Sequence, residues 1–240
     1  MSDAGFSLWV YLAERPLTWL TLTLAGYAVA DALAVRAGRH PLVNPVLIAA
    51  ALIGAVLMAT GTPYAVYFDG AQFVHFLLGP ATVALAVPLY QHRAEVRRAF
   101  LPMAAALIAG SLVTMASAVG LLAAFGVPRA VIASMAPKSV TAAIAMAVSG
   151  SLGGDAALTS VLVILTGIFG AIVALPLLAR VRITDDRARG FATGLAAHGI
   201  GTARAFQSSA LAGTFAAIAM ALNAIVTALA APVLFRLMGW

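Results

Sequence analysis

The chain of 240 residues contains no cysteine and few charged residues. The absence of cysteine excludes disulfide bridges and cysteine-ligated metal sites. Charged residues make up 9% of the sequence, whereas a soluble domain carries about 25%. Hydrophobic residues make up 63%, and no hydrophilic stretch is long enough to fold separately. The composition therefore predicts one integral membrane domain, residues 1–240, rather than a soluble domain with an anchor.

Motifs for catalysis are also missing. The sequence has no GxSxG, no HExxH, no phosphate-binding P-loop and no carboxylate pair at catalytic spacing. We therefore expect no enzymatic activity, no cofactor and no metal site. The amino-terminal residues lack the pattern of a cleaved signal peptide, so none is expected.

The basic residues are concentrated in short loops, and the formal net charge is +6. Arginines cluster at residues 36–40, 91–98 and 180–189. This clustering is the positive-inside pattern of membrane proteins, and it does not indicate a nucleic-acid partner. The lipid bilayer is the partner that it predicts.

Long apolar stretches predict the fold. Stretches near or above about 20 residues suit transmembrane helices, and no alternating ten-residue pattern favours strands. We expect an all-α polytopic membrane protein with about seven to eight membrane segments and broken or re-entrant helices. The segments lie near residues 17–35, 42–60, 71–90, 99–125, 130–149, 156–179, 190–209 and 211–235.

A weak internal repeat relates two halves, roughly 1–120 and 121–240. Gly79-Pro80-Ala81-Thr82 lies 120 residues before Gly199-Ile200-Gly201-Thr202, and each motif would interrupt the third segment of its half. Gly- or Pro-interrupted segments at corresponding positions point to the binding site of a transporter. The alternative is chance, because glycine, alanine and threonine are common in membrane helices.

The basic loops constrain the topology. If the loops at 36–40, 91–98 and 180–189 share one side, segments four to six cannot all be full crossings. Segment five, which contains Pro137 and Lys138, is then the candidate for a re-entrant hairpin. Alternatively, loop 180–189 lies outside, its positive charge partly offset by Asp185 and Asp186.

Lys138 is the most informative residue because no other residue between Ala130 and Gly154 is ionisable. A charge at bilayer depth costs roughly 3 kcal/mol. A helix restarting at Pro137 would offer backbone N–H groups near Ser139 and Val140, and Thr141 would share a face with Lys138. These groups predict a carboxylate site at the helix break. Alternatively, Lys138 reaches the headgroups or pairs with an acid.

A second constellation is His198-Gly199-Ile200-Gly201-Thr202-Ala203-Arg204. Two closely spaced glycines make an unbroken helix unfavourable. His198 could titrate near neutral pH and couple a proton, and Arg204 could bind a carboxylate. The alternative is a surface loop in which Arg204 faces headgroups.

Weaker candidates are spread along the chain. Asn44 could line the site or cap a helix. Asn223 could join helices or line a pore. His75 is a second proton-coupling candidate or a packing residue, and Thr82, like Thr141 and Thr202, could hydrogen-bond substrate oxygens.

Four tracts together resemble the CidB/LrgB family of bacterial membrane proteins. They are Phe76–Tyr90, Pro137–Thr141, Ser151–Gly154 and His198–Arg204, with a further match at Ala219–Asn223. The resemblance covers roughly residues 40 to 240. It implies a multi-pass protein of the bacterial inner membrane.

The resemblance implies two functions. One is antiholin- or holin-like regulation of murein hydrolase export and autolysis, with a small LrgA/CidA-type membrane partner. The other is secondary transport of small monocarboxylates, because the family is similar to the C-terminal part of the plastidial glycolate/glycerate translocator. The expected substrates are glycolate, glycerate, pyruvate or lactate, with possible proton or sodium coupling and homo-oligomers.

The lysine favours the transport hypothesis, because a buried cation at a helix break has an evident use in binding a carboxylate. A cation channel or antiporter is less favoured, since the acidic residues lie near predicted segment ends and a cation path usually needs a buried acid.

Overall fold

The computed structural model describes residues 15–40, 43–84 and 86–240, apart from the side chains of His75, Leu78 and Thr82. All regular secondary structure in these residues is helical. The helices are α1 Pro16–Arg36, α2 Pro45–Thr60, α3 Tyr64–Phe76, α4 Leu78–Ala84, α5 Ala86–Gln91, α6 Arg93–Arg98, α7 Phe100–Ala124, α8 Arg129–Met135, α9 Ala142–Ser151, α10 Ala156–Arg180, α11 Asp186–Ser208 and α12 Ala210–Leu237.

The prediction of an all-α polytopic membrane protein is confirmed. Four single helices are long and apolar enough to cross a membrane, namely α1, α7, α10 and α12, and the stretch Tyr64–Gln91 is a fifth by length and composition. Helices α2 and α9 are apolar but shorter. Most helix bounds follow the predicted segments within about four residues, because apolar length largely sets them. The exception is segment three, which begins at Tyr64 and not near residue 71.

The chain divides into two compact units, Met1–Ala84 and Leu85–Trp240. In the first unit α1 packs against α2 and α3. Gly70 permits the α1–α3 contact, since a Cβ at this position would lie 2.7 Å from the Trp19 Cβ. The predicted interruption of segment three is present: α3 ends at Phe76, and Gly79 and Pro80 lie in the first turn of α4.

In the second unit, segment five is a re-entrant hairpin. Helices α8 and α9 have 7 and 10 residues, which is about 10 and 15 Å of helix. Neither can cross about 30 Å of hydrocarbon. After the turn at 136–141 the chain comes back to Ser134, whose Oγ accepts a hydrogen bond from Asp155 N–H at 2.8 Å. Residues 129–151 are hairpin 1 below.

Segment seven is also a hairpin, which the sequence did not predict. Ala197 and His198 leave helical geometry, with φ of −128° and 42°. A Cβ on Gly201 would lie 2.8 Å from the Thr193 carbonyl oxygen. Residues eight apart in a straight helix are about 12 Å apart, so the chain reverses here. Residues 186–208 are hairpin 2 below.

The expected site of this break requires correction. Sequence reasoning placed it at Gly199 and Gly201, but both are helical and the positive φ belongs to His198. The glycine at 201 is needed for another reason, because it faces the Ala197 Cβ and the Thr193 backbone across the hairpin. Position 201 therefore requires a residue without a side chain because of close packing, and not because of an unusual backbone conformation.

The two hairpins enter from opposite ends of α12. The base of hairpin 2 lies at the start of α12, where Gly190 meets Ala212 and Phe206 meets Gly213. The base of hairpin 1 lies near the other end, where Ile132 and Leu152 cluster with Ala231 and Phe235. Both tips reach the middle of α12, at Asn223.

Helix α7 contacts the same two hairpins in the same order along its length, hairpin 2 first and hairpin 1 second. Its first half packs on hairpin 2 through Met103 and Leu107, and its second half packs on hairpin 1 through Met115 and Val119. The start of α7 and the start of α11 therefore lie at one end of the unit. Arg98 and Arg187 line one cavity there. Loops 91–98 and 180–189 thus share a side, as the re-entrant alternative requires.

Within this unit a hairpin followed by a long helix occurs twice. Pro176 and Arg180 near the end of α10 recur 56 residues later as Pro232 and Arg236 near the end of α12. The two hairpin bases lie at opposite ends, so α10 and α12 run in opposite directions. This is an inverted repeat of 56 residues, distinct from the 120-residue repeat, which stays a prediction.

Candidate functional site

The two hairpin tips meet at the buried side chain of Asn223. Its Nδ2 donates to the Ser139 carbonyl at 3.3 Å, to Ser139 Oγ at 3.2 Å and to the Leu195 carbonyl at 3.1 Å. Its Oδ1 accepts from Ser111 Oγ at 2.6 Å and from Thr227 Oγ1 at 3.3 Å. One amide therefore joins α7, both hairpins and α12 near mid-membrane.

The tip of hairpin 1 is a turn, not a helix start. Sequence reasoning restarted the helix at Pro137, but α9 begins at Ala142 with Thr141 as its N-cap residue. Lys138 N–H donates to Met135 O and Val140 N–H to Pro137 O, so these N–H groups are used within the turn. Of the two predicted donors, the Val140 N–H is thus unavailable, and the first turn of the following helix lies beyond Thr141 instead of at Pro137.

Lys138 lies in this turn, next to Ser139. Its side chain is half-buried, and within the described part of the chain it forms no ion pair. The start of α9 carries the positive end of that helix dipole, four residues further on. The tip of hairpin 1 therefore combines a lysine side chain with the positive end of a helix, and the anion-binding role of Lys138 stays a prediction.

His198 forms the tip of hairpin 2 and is 5% exposed. Its Nε2 lies 2.9 Å from the Val163 carbonyl oxygen. A carbonyl oxygen only accepts, so Nε2 carries the hydrogen and donates. A Cβ on Gly167 would lie 2.6 Å from the imidazole ring. Helix α10 thus provides both the acceptor and the space for this ring.

The remaining predicted residues of hairpin 2 differ in their surroundings. Thr202 is buried and donates to the His198 carbonyl at 2.8 Å, whereas Gly199 is exposed. Arg204 Nη1 donates to Gln207 Oε1 at 3.1 Å, towards the base of the hairpin. The proposed role of Arg204 in carboxylate binding stays a prediction.

Three predicted residues belong to the first unit. Asn44 caps α2, because its Oδ1 accepts from Val46 N–H at 2.9 Å and Leu47 N–H at 3.2 Å. This is the capping alternative for Asn44. The side chains of His75 and Thr82 lie outside the described residues, so the roles suggested for them stay predictions.

Sequence reasoning missed two groups at the crossing point, Ser111 and the Leu195 carbonyl. Ser111 lies in the middle of α7 and is 1% exposed. Its signal was a serine in an uncharged helix that also contains Thr114 and Ser117, and such hydroxyl residues are common in membrane helices, so the signal was weak. No side-chain pattern reveals a backbone acceptor such as Leu195, which lies just before the break at Ala197 and His198.

The site between the hairpin tips offers groups that can bind a small ligand. It combines one cation, a helix dipole, hydroxyl groups and an amide, and the histidine is used in packing against α10. Such groups can hold a small anion between two hairpins that enter from opposite sides.

The comparisons place the chain among bacterial membrane proteins. The model of the LrgB-like family matches residues 23–237. The holin-like protein CidB of Staphylococcus aureus is 33% identical over 223 residues, 93% of this chain and 97% of that protein. CidB of Staphylococcus epidermidis is 33% identical over 83% of this chain and 87% of its own length. The uncharacterized protein YwbG of Bacillus subtilis is 35% identical over 81% and 87%.

No solved structure matches the chain. The family match and the CidB proteins agree with the resemblance seen in the sequence, and the helices make the protein a multi-pass membrane protein. The chain belongs to the LrgB-like family.

Proposed function

We propose that the chain is a holin-like protein of the bacterial inner membrane that takes part in the control of murein hydrolase export and autolysis. This proposal is supported by the CidB relatives, which are named holin-like and align over most of this chain. A small LrgA/CidA-type membrane partner belongs to this proposal.

The test of this role is complementation. In a bacterium lacking its own CidB/LrgB-type gene, expression of this chain should restore the rate of detergent-induced lysis of the parent strain. Expression of the Asn223→Leu variant, which disconnects the hairpin tips, is the matched control. An unchanged lysis rate with well-inserted wild-type protein would contradict the proposal.

A second proposed function is secondary transport of small monocarboxylates, of the glycolate, glycerate, pyruvate and lactate class. The observation that favours it is the meeting of two oppositely directed hairpins at mid-membrane, with Lys138 in one tip. Discontinuous segments from inverted repeats hold the substrate site in many secondary transporters. A monocarboxylate would offset the cost of the buried ammonium, roughly 3 kcal/mol.

Proteoliposomes test transport directly. Uptake of labelled pyruvate, glycolate or lactate should occur with the wild type and fall by about tenfold or more in Lys138→Gln, since a charge-assisted hydrogen bond contributes about 1.5–3 kcal/mol. Uptake under imposed proton and sodium gradients identifies a coupling ion.

The control variant is Arg129→Gln, which removes an exposed cation at the base of the same hairpin. It should transport like the wild type. Equal uptake by Lys138→Gln and the wild type would refute the assigned site. Restored lysis without uptake would leave the holin-like role and exclude the carrier.

A further inference from the structure

A groove runs between α7 and hairpin 2 at the arginine-rich end of the second unit. Its volume is about 530 Å³. One wall is the α7 stripe from Ala99 to Gly110, and the other is the hairpin stripe from Ala188 to Leu195, with Phe215 of α12 also lining it. Neither Lys138 nor Asn223 lines it.

Charge is confined to one end of this groove. Arg98 and Arg187 line it there together with Asp185, and the rest of the lining carries no ionisable side chain. Arg187 Nε donates to Asp185 Oδ1 at 3.1 Å. Arg98 is exposed and, among the residues described, forms no ion pair. The lining residues at this end therefore sum to one positive charge, and Glu95 lies near enough to interact electrostatically with Arg187 without lining the groove.

The groove dimensions match one membrane leaflet. Ala99 and Gly110 are eleven residues apart on α7, which is about 17 Å of helix. Half of the hydrocarbon thickness is about 15 Å. Pro102 and Ala106 on one wall and Ala192 on the other are exposed, so the groove opens sideways towards lipid. A small hydrophilic anion would have no polar partner beyond the arginine end.

We propose that this groove binds one anionic phospholipid, with its headgroup phosphate at Arg98 and Arg187 and an acyl chain along α7 towards Gly110. The charged end of the groove suits the headgroup of such a lipid, and the apolar length suits its acyl chain. Basic pockets between membrane helices on the cytoplasmic side are suited to anionic headgroups. The positive-inside rule places this end of the protein on that side. The proposal is independent of either function proposed above.

The occupant would contact both α7 and hairpin 2 along the length of the groove. At the far end of the groove a Cβ on Gly110 would lie 3.1 Å from Leu195 Cδ1, so α7 and hairpin 2 close together there. Towards the arginine-rich end, the space between α7 and hairpin 2 is open. A lipid in this space would hold hairpin 2 against α7.

Native mass spectrometry of the purified full chain tests the site. Palmitoyl-oleoyl phosphatidylglycerol should remain bound in preference to palmitoyl-oleoyl phosphatidylcholine, which has the same chains and no net charge. Arg98→Gln should weaken phosphatidylglycerol binding about fivefold, because one arginine near a lipid surface contributes about 1 kcal/mol. Arg98→Lys should retain most of the binding.

A second variant tests the apolar length. Ala106→Trp fills the groove from its lipid-facing side without changing charge, and it should reduce binding of both lipids. The matched control is Arg180→Gln, an exposed arginine at the same end that does not line the groove. It should bind like the wild type.

Size-exclusion profiles and melting temperatures of each variant verify folding. Equal retention of the two lipids by the wild type would overturn the proposal. Unchanged phosphatidylglycerol binding in folded Arg98→Gln and Ala106→Trp proteins would also overturn it. Displacement of the lipid by millimolar pyruvate would instead assign the groove to a substrate path and refute the lipid site.

Discussion

The two hairpins have the same topology but are held by different interactions. Hairpin 1 is fastened at its base by hydroxyl groups: Ser134 Oγ accepts from Asp155 N–H, and Thr159 Oγ1 donates to Ser149 Oγ at 2.7 Å. Hairpin 2 is fastened by close backbone packing, with Gly190 and Gly194 against α12. Close packing also occurs beside hairpin 1, where a Cβ on Gly154 would lie 2.8 Å from the Ser134 nitrogen, so the hydroxyl hydrogen bonds are what distinguish the base of hairpin 1.

The difference extends to the tips. Hairpin 1 has a charged side chain at its tip, that of Lys138, in a turn that neighbouring hydrogen bonds stabilise. Hairpin 2 carries a backbone carbonyl, Leu195, and a histidine in left-handed geometry. Only glycine adopts that geometry freely, so the contact of His198 with Val163 and Gly167 must offset the strain.

The largest effect is expected from matched glycine substitutions in the two hairpins. In Gly194→Ala the new Cβ would lie about 2.1 Å from the Ala216 carbonyl oxygen, so α11 and α12 must separate. Overpacking of this kind costs about 1–3 kcal/mol or more. In Gly150→Ala nothing lies within 4 Å, and the helix gains up to about 1 kcal/mol.

Thermal unfolding in detergent measures both variants. The melting temperature should fall in Gly194→Ala and stay level or rise in Gly150→Ala. If both variants lose the same stability, the contrast between glycine packing and hydroxyl fastening is wrong.

A smaller effect is expected where the hairpins meet. Asn223→Leu keeps the side-chain volume but removes the partner of Ser111, Ser139 and the Leu195 carbonyl. Interhelical hydrogen bonds in membranes average about 0.6 kcal/mol each, so the variant should lose about 2 kcal/mol. Unfolding measurements should then give Ser111→Ala a loss of less than half of this. A stability equal to that of the wild type would mean that the hairpin tips are held by apolar packing alone.

The smallest effect concerns the base of hairpin 2 and its dependence on pH. The Arg187 guanidinium lowers the pKa of Asp185 from 3.8 to about 2. A lowered pKa contributes stability above the unfolded-state value, and this contribution is lost as the pH falls through about 2. Asp185→Asn keeps an N-cap acceptor but removes the charge.

Melting temperatures between pH 7 and pH 2 measure this effect. The wild type should be slightly more stable than Asp185→Asn at pH 7, with the difference disappearing towards pH 2. The difference should be small because the pair is exposed. A difference that vanishes already near pH 6 would show that Asp185 is not the group responsible.

Apolar length and charge placement determined most of the fold from the sequence alone. The ends of α7, α10 and α12 follow the uncharged stretches within a few residues, since a bilayer tolerates few charges within about 20 residues. If the arginine loops share one side of the membrane, an even number of crossings lies between them, which made segment five the candidate for a re-entrant hairpin; the sequence left open the alternative that loop 180–189 lies outside. Lys138 was informative because its cost in a membrane is independent of the fold.

The tertiary structure decided what the sequence left open. The glycines at 199 and 201 indicated an interruption, but neither Ala197 nor His198 favours the geometry at which the chain reverses. The meeting of Ser111, Ser139 and Leu195 at Asn223 joins residues up to 112 positions apart in the chain. Local sequence patterns show which residues suit a lipid environment. Contacts between distant segments depend on how the helices pack against each other.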